Sequence, residues 1–282
     1  MAILQLHVLG EESFLAGSGR PIPLPDISWM LIGTLLSAPR RSMSRGHLAA
    51  ELWPDSDDEA ARHCLATTLW RIRQRLGCRA RLIEHRDDRM AIVGDRAIWI
   101  DALAFERRAQ AALDDPASLG SASVRAKLRR ALIHYGGDFL ARRMNDSITI
   151  ERERLRALYL DAGYELARAC ASHAEWRTAL ELSRNLCAVE PLREDVQRLL
   201  MEAHVGCGNR AQALQHYRDF ERVLAAELAV KPMRETRELV ERITRRPPPA
   251  PQALDSGQRA TLIEARQQMA LTLSLLDRAL VQ

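Results

Sequence analysis

Lysine is nearly missing from this chain: among its 41 basic residues only Lys127 and Lys231 are lysine, and the rest are arginine. Such a bias reflects a GC-rich coding sequence more than a chemistry. Arginine content therefore does not by itself argue for nucleic acid, and a net charge of +4 is too small to do so. Cysteine is sparse. The five residues (Cys64, Cys78, Cys170, Cys187 and Cys207) are scattered, odd in number and without a C-x-x-C pair. A disulfide framework or a zinc site is therefore not expected, and the thiols read as small apolar residues of a reduced compartment. No apolar run approaches the roughly 18 residues that span a bilayer. The opening Met1–Val8 lacks the basic start and long apolar stretch of a signal peptide. The expectation is a cytoplasmic protein with no membrane contact. The signatures of catalysis are missing too: there is no H-E-x-x-H, no G-x-S-x-G elbow and no dinucleotide glycine loop. The eight histidines are dispersed. His134 beside Tyr135 reads as a helix end, and Asp87-Asp88 as a solvated turn. No enzyme, catalytic residue, cofactor or metal is expected.

What is present is enough apolar sequence for a core. The chain has 282 residues, 47% hydrophobic and 28% charged, which suits two domains. Residues 1–100 mix short β runs with helices. Leu4, Leu6 and Val8 alternate with polar neighbours like a half-buried strand. Pro21, Pro23 and Pro25 confine an edge segment before a helix starting near Ile27. Two more helices follow, Arg45–Trp53 and Glu59–Leu76, and residues 82–100 return to β character around the turn Arg86-Asp87-Asp88. Residues 101–245 read as helical throughout, with Asp101 expected to cap the first helix. Ala174–Leu180 aligns with Gly208–Leu214 at an offset of 34 residues, the tetratricopeptide period, with Ala179 and Ala213 where helices pack closely. Trp176 reads as core, and Pro191 and Pro232 as helix stops. Residues 246–256 form a proline-rich linker. Residues 257–282 form an amphipathic helix through Leu262, Met269, Leu273, Leu276 and Leu280, able to dock back or to self-associate. The expected fold is mainly α with a small β component: an N-terminal winged helix with an extra N-terminal sheet, then an all-α tetratricopeptide-like superhelix.

Charge position is more telling than charge total. From Ala60 to Ile83 there is no acidic residue, while Arg62, Arg71, Arg73, Arg75, Arg79 and Arg81 fall there; Asp55, Asp57, Asp58 and Glu59 precede it, where a helix's first turn favours negative charge. Leu65, Leu69, Ile72 and Leu76 define a buried stripe. The opposite face carries His63, Ala66, Thr67, Trp70 and Gln74, with arginines at its edges. Short side chains let a helix approach base edges in a major groove, and guanidinium groups reach phosphates or guanines. As the last of three helices, followed by a hairpin, this segment is the expected DNA reader. Arg62, His63, Thr67, Trp70, Arg71 and Arg73 are its candidate contacts, with Arg86 and Arg89 in the hairpin reaching a minor groove or backbone.

These residues resemble a known family. Ala61–Gly77 resembles the recognition helix of response-regulator-type winged helices, and more closely that of the SARP (antibiotic regulatory protein) activators. Ser44–Pro54 is similar to their helix ending in Leu-Trp, and Trp99–Glu106 to the junction into their bacterial transcriptional activator domain (BTAD). Tyr135-Gly136-Gly137-Asp138-Phe139-Leu140, Glu151-Arg152-Glu153-Arg154-Leu155 and Pro191-Leu192-Arg193-Glu194 match further signatures of that domain. The resemblance covers roughly residues 1–245. It implies a transcription activator that binds direct repeats in double-stranded promoter DNA and recruits RNA polymerase. It also implies homodimer or tandem binding, with the helical domain supporting activation. Trp70 stands where the family usually has a small or polar residue, and the hairpin lacks the family's Gly-x-Gly-Tyr. No G-x-x-x-x-G-K-[ST] loop occurs, so nucleotide switching is not expected. A groove in the helical part could take a small molecule or a peptide. The alternative reading is a helical-repeat interaction module whose winged helix does not touch DNA.

Overall fold

The computed structural model describes residues 4–77, 82–93 and 98–245, apart from the side chain of Arg86. The linker and terminal helix expected over 246–282, and Arg79 and Arg81, lie outside the described residues. The chain divides into two compact units, Met1–Gly206 and Cys207–Gln282.

In the first unit, β1 (Leu4–His7) pairs antiparallel with β2 (Ser13–Leu15) and parallel with β6 (Ile98–Ile100), giving the order β2-β1-β6. The second sheet combines β3 (Ser42–Ser44), β4 (Ile83–Arg86) and β5 (Arg89–Ile92) in the order β3-β5-β4. Between them run α1 (Asp26–Ser37), α2 (Arg45–Leu52) and α3 (Asp58–Leu76). The expected winged helix is thus observed. Residues 98–100 leave the hairpin and complete the N-terminal sheet. α1 is apolar on nearly every side and is buried over most of its length, as a central helix must be.

The helical part of this unit comprises α4 (Asp101–Asp114), α5 (Ala122–Ile133), α6 (Asp146–Ser172), α7 (Trp176–Val189) and α8 (Glu194–Gly206). One hydrophobic core runs from Leu6 and Val8 through Leu31, Leu65 and Phe105 to Leu166 and Ala203. Trp176 sits against Gly206 so closely that a Cβ at 206 would overlap its indole. The Pro191–Glu194 signature works as a clasp. Gln197 Nε2 donates to the Pro191 carbonyl at 2.6 Å, and Arg193 reaches Asp161 at 2.8 Å and lies over the Tyr164 ring. Burial pushes the thiols of Cys170 and Cys187 up to about 12, so both behave as apolar side chains.

Asp101 does not do what its position suggested. It is the first residue of α4, and the preceding Ile100 holds the cap position without a side-chain bond. The Asp101 carboxylate is 1% exposed and points to the end of β1. It accepts from Val8 N and Leu9 N at 3.0 Å and from Ala102 N at 2.7 Å. Burial pushes its carboxyl above the usual aspartate range, against the pull of those three amides and of His7. A short carboxylate at a helix start can serve whichever amides face it, and here the strand leaving the sheet presents two.

The Tyr135–Leu140 signature meets the same corner. Leu9 bridges Phe139, Gly10 N donates to Asp138 O at 3.1 Å, and Leu140 N donates to Val8 O at 2.9 Å. Gly10 has φ +86°, and a Cβ there would lie 2.7 Å from the Gly136 backbone, so only glycine allows this approach. Arg152 then ties the loop to α6, donating to the carbonyls of Phe139, Leu140 and Arg143 at 2.7–2.8 Å. Beside it Arg154 bridges Glu151 and Glu106, and Glu106 in turn holds Arg41. The first hundred residues and the helices up to Gly206 are therefore one packed body.

In the second unit α9 (Arg210–Glu227) packs on α10 (Arg234–Arg245). Ala213 is fully buried, as the repeat requires. Pro232, expected to stop the helix, lies in the connection beyond it, since α9 has already ended at Glu227. Ala229 takes a positive φ in that connection.

Candidate nucleic-acid interface

The sequence builds α3 as a helix with marked ends. Asp57 caps it, accepting from Ala60 N at 2.8 Å, and Asp58 and Glu59 occupy the first turn. Arg73 and Arg75 fall in the last turn, and Gly77 closes the helix at φ +69°. Each charge thus sits at the end that the helix dipole favours. Ala61, Leu65, Thr68, Leu69 and Ile72 are buried, and Leu76 is half-buried at the C-terminal end of the expected stripe. Thr68 enters this stripe by spending its hydroxyl on the Cys64 carbonyl at 2.9 Å.

The opposite face is open. His63, Ala66, Trp70 and Gln74 are exposed and Thr67 is half-buried, forming a ridge along the helix. Helical periodicity sets Arg62 and Arg73 along one edge of this ridge, and Arg71 and Arg75 along the other; all four are exposed. Among the described residues Arg62 makes only a long ion pair with Asp58, 3.9 Å, between two exposed side chains. Six of the expected contacts therefore share one helix face and its margins.

The hairpin β4–β5 stands beside α3. It turns through Asp87, which has φ 53°, and Asp88. The Asp88 carbonyl accepts from Arg45 N at 2.8 Å, fixing the hairpin to the start of α2. Arg89 is exposed, but it donates Nε to Ser42 Oγ at 3.0 Å and its terminal nitrogen to Ser42 O at 2.7 Å. Two of its donors thus hold β5 to β3. The Arg86 side chain lies outside the described residues.

Two side chains that the sequence reading overlooked join the site. Arg45 and His85 line a groove of about 210 Å³ with Ala66, Leu69, Arg73 and Met90. The register pairs His85 with Met90 across the hairpin, and both line this groove opposite Ala66, Leu69 and Arg73 of α3. The fold brings Arg45, Arg73 and His85 to one groove although they come from three different elements of the chain. A second groove, about 320 Å³, separates α2 from α3 and is lined by Ser44, His47, Asp58 and Arg62 among others. Among the described residues no three metal-binding side chains cluster, and no helix is long and apolar enough to cross a membrane.

The first unit thus joins a winged helix with an open, arginine-edged α3 to a packed helical body, an arrangement compatible with a transcription regulator. The comparisons agree. Residues 100–244, just over half the chain, match the bacterial transcriptional activator domain, and the chain belongs to that family, as a SARP-type regulator. It is 30% identical over 223 residues to the regulatory protein AfsR of Streptomyces griseus and 29% identical over 223 residues to AfsR of Streptomyces coelicolor. Those stretches cover 76% and 77% of this chain but only 22% of each relative, so the chain spans about a fifth of their length. Its fold is similar to that of Mycobacterium tuberculosis EmbR, solved in complex with a low-affinity phosphopeptide. The TM-score is 0.69 and the identity 20%, over 97% of this chain and 71% of that one.

Proposed function

We propose that this regulator is a sequence-specific activator that binds repeated sites in double-stranded promoter DNA through α3 and recruits RNA polymerase. The observation that carries this reading is the α3 surface: an acid-free ridge of short and hydrogen-bonding side chains, edged on both sides by exposed arginines. A ridge of that kind matches a major groove, where base edges form the floor and phosphates the walls. Arg62, His63, Thr67, Trp70, Arg71 and Arg73 are its contacts, with Arg86 and Arg89 of the hairpin beside them and Arg45 and His85 added. Residues 1–100 act as the DNA-binding domain and residues 101–245 as the activator domain, serving activation, dimerisation or signal input. The protein works in the cytoplasm at the nucleoid, as a homodimer or in tandem on its site, and performs no catalysis.

The test is capture of sheared genomic DNA from the protein's own source by the purified chain, beside an Arg71→Ala/Arg73→Ala variant. A few promoters with repeated short sites should be enriched, and the variant should lose them. Four edge arginines predict that log affinity falls with log salt at a slope of roughly −3 to −4 per chain. The double variant should reduce that slope by about 2. A folded protein that enriches nothing at low salt would refute the reading, leaving the helical repeats as a protein-interaction module.

A further inference from the structure

Trp70 is the largest exposed ring of the winged helix, 60% accessible, and it occupies the middle of the α3 ridge. No hydrogen bond or ring contact is found for it among the described residues. Its neighbours one turn toward the N-terminus on this face are Ala66 and Thr67, and Gln74 lies one turn beyond it, so the apolar part of the ridge is the stretch from Ala66 to Trp70. The patch lies between two cationic edges, Arg62 with Arg73 and Arg71 with Arg75. Charge complementarity thus commits this face to a polyanion, while its centre offers an indole, a methyl and a threonine methyl.

Within a major groove only one feature is apolar, the C5-methyl of thymine. Phosphates and sugars line the walls, which the arginines face. We infer that Trp70, with Ala66 and Thr67, is a specificity-determining contact that reads thymine methyl groups at the centre of each half-site. The inference rests on the proposed DNA reading and deepens it. It predicts that the core of each repeat contains thymine opposite this patch. The indole excludes water from the methyl, and the flanking arginines hold the helix deep enough for contact.

The experiment starts with selection of randomised duplexes by the full chain and by Trp70→Ala, at equal salt. Each thymine of the duplex selected by the wild-type protein is then replaced singly by uracil, which removes the methyl and nothing else, and affinities are read by anisotropy. One or two adjacent replacements should weaken wild-type binding about fourfold each, the factor carried by burying one methyl's worth of apolar surface. The same replacements should not weaken Trp70→Ala, and Trp70→Phe should retain part of the sensitivity. The Trp70→Ala selection should lose its preference at those positions. If uracil changes affinity less than twofold everywhere, or weakens wild type and Trp70→Ala alike, the inference fails while the DNA reading stands. That outcome would assign Trp70 to backbone or neighbouring-protein packing. If folded wild-type protein selects no duplex, the DNA reading fails, and this inference with it. Circular-dichroism melting of each variant separates loss of contact from loss of fold.

Discussion

Replacing Asp101 isolates the contact that welds the N-terminal sheet to the helical body. In Asp101→Ala the amides of Val8, Leu9 and Ala102 lose their acceptor while all three residues stay buried. Each orphaned buried donor costs about 1–3 kcal/mol. Relief from burying a carboxylate returns a few kcal/mol, which leaves a net loss of about 3 kcal/mol. Asp101→Asn is more discriminating because its shape is unchanged. Oδ1 serves Val8 and Ala102, and Oδ2 serves Val8 and Leu9. Whichever way the amide is turned, its NH2 faces two backbone donors; Val8 keeps its bond to the remaining oxygen, so one amide, Ala102 or Leu9, is orphaned and the cost is about 1–2 kcal/mol. Urea unfolding followed by circular dichroism at pH 7 measures both. Hydrogen exchange should speed up at Leu9 in the alanine variant before global unfolding. Equal destabilisation by the two variants, or a loss below about 1 kcal/mol in Asp101→Ala, would refute the accounting of donors.

Gly10→Ala should destabilise the same corner by at least about 2 kcal/mol. It adds a left-handed backbone penalty to a Cβ that meets Gly136 backbone rather than a side chain able to move; an unchanged melting temperature would contradict this. The Arg125 guanidinium holds the Glu175 carboxyl below its ordinary range, chiefly by a 2.5 Å hydrogen bond. A depressed carboxylate stabilises the fold above its unfolded value, near 4.3, and that support is lost as pH falls through the lower folded value. Glu175→Gln should therefore be less stable than wild type at pH 7, and the gap should close below about pH 4 in urea titrations.

Much of the site was legible because helices advertise themselves locally. The run Asp57–Gly77 carries its own cap, its dipole-matched charges and its stop, and the 3.6-residue period separates Leu65, Leu69 and Ile72 from His63, Trp70 and Gln74. The repeat at 174 and 208 was legible for the same reason, since close packing demands alanine at a fixed place. The family signatures could be matched in sequence without their purpose being apparent. Tyr135–Leu140 proves to be a backbone docking strip for Gly10, and Arg152 the clamp on that strip. Pro232 follows the end of α9 as a proline after a helix stop does, but the stop itself lies several residues earlier, at Glu227.

Among the described residues the sequence by itself determined where α1, α2 and α3 lie, which face of α3 is buried, and that its other face is edged by arginines, because those properties depend on residues within a few turns of each other. Only the tertiary structure decided the partners of the long-range groups. Asp101 serves Val8 and Leu9 across 93 and 92 residues, β6 joins β1 in place of the hairpin, and Arg45, Arg73 and His85 converge on one groove. Nothing local distinguishes an aspartate that caps its own helix from one that satisfies a distant strand. Both need only a short acceptor at a helix start, and the choice falls to whichever amides the packed chain would otherwise leave without one.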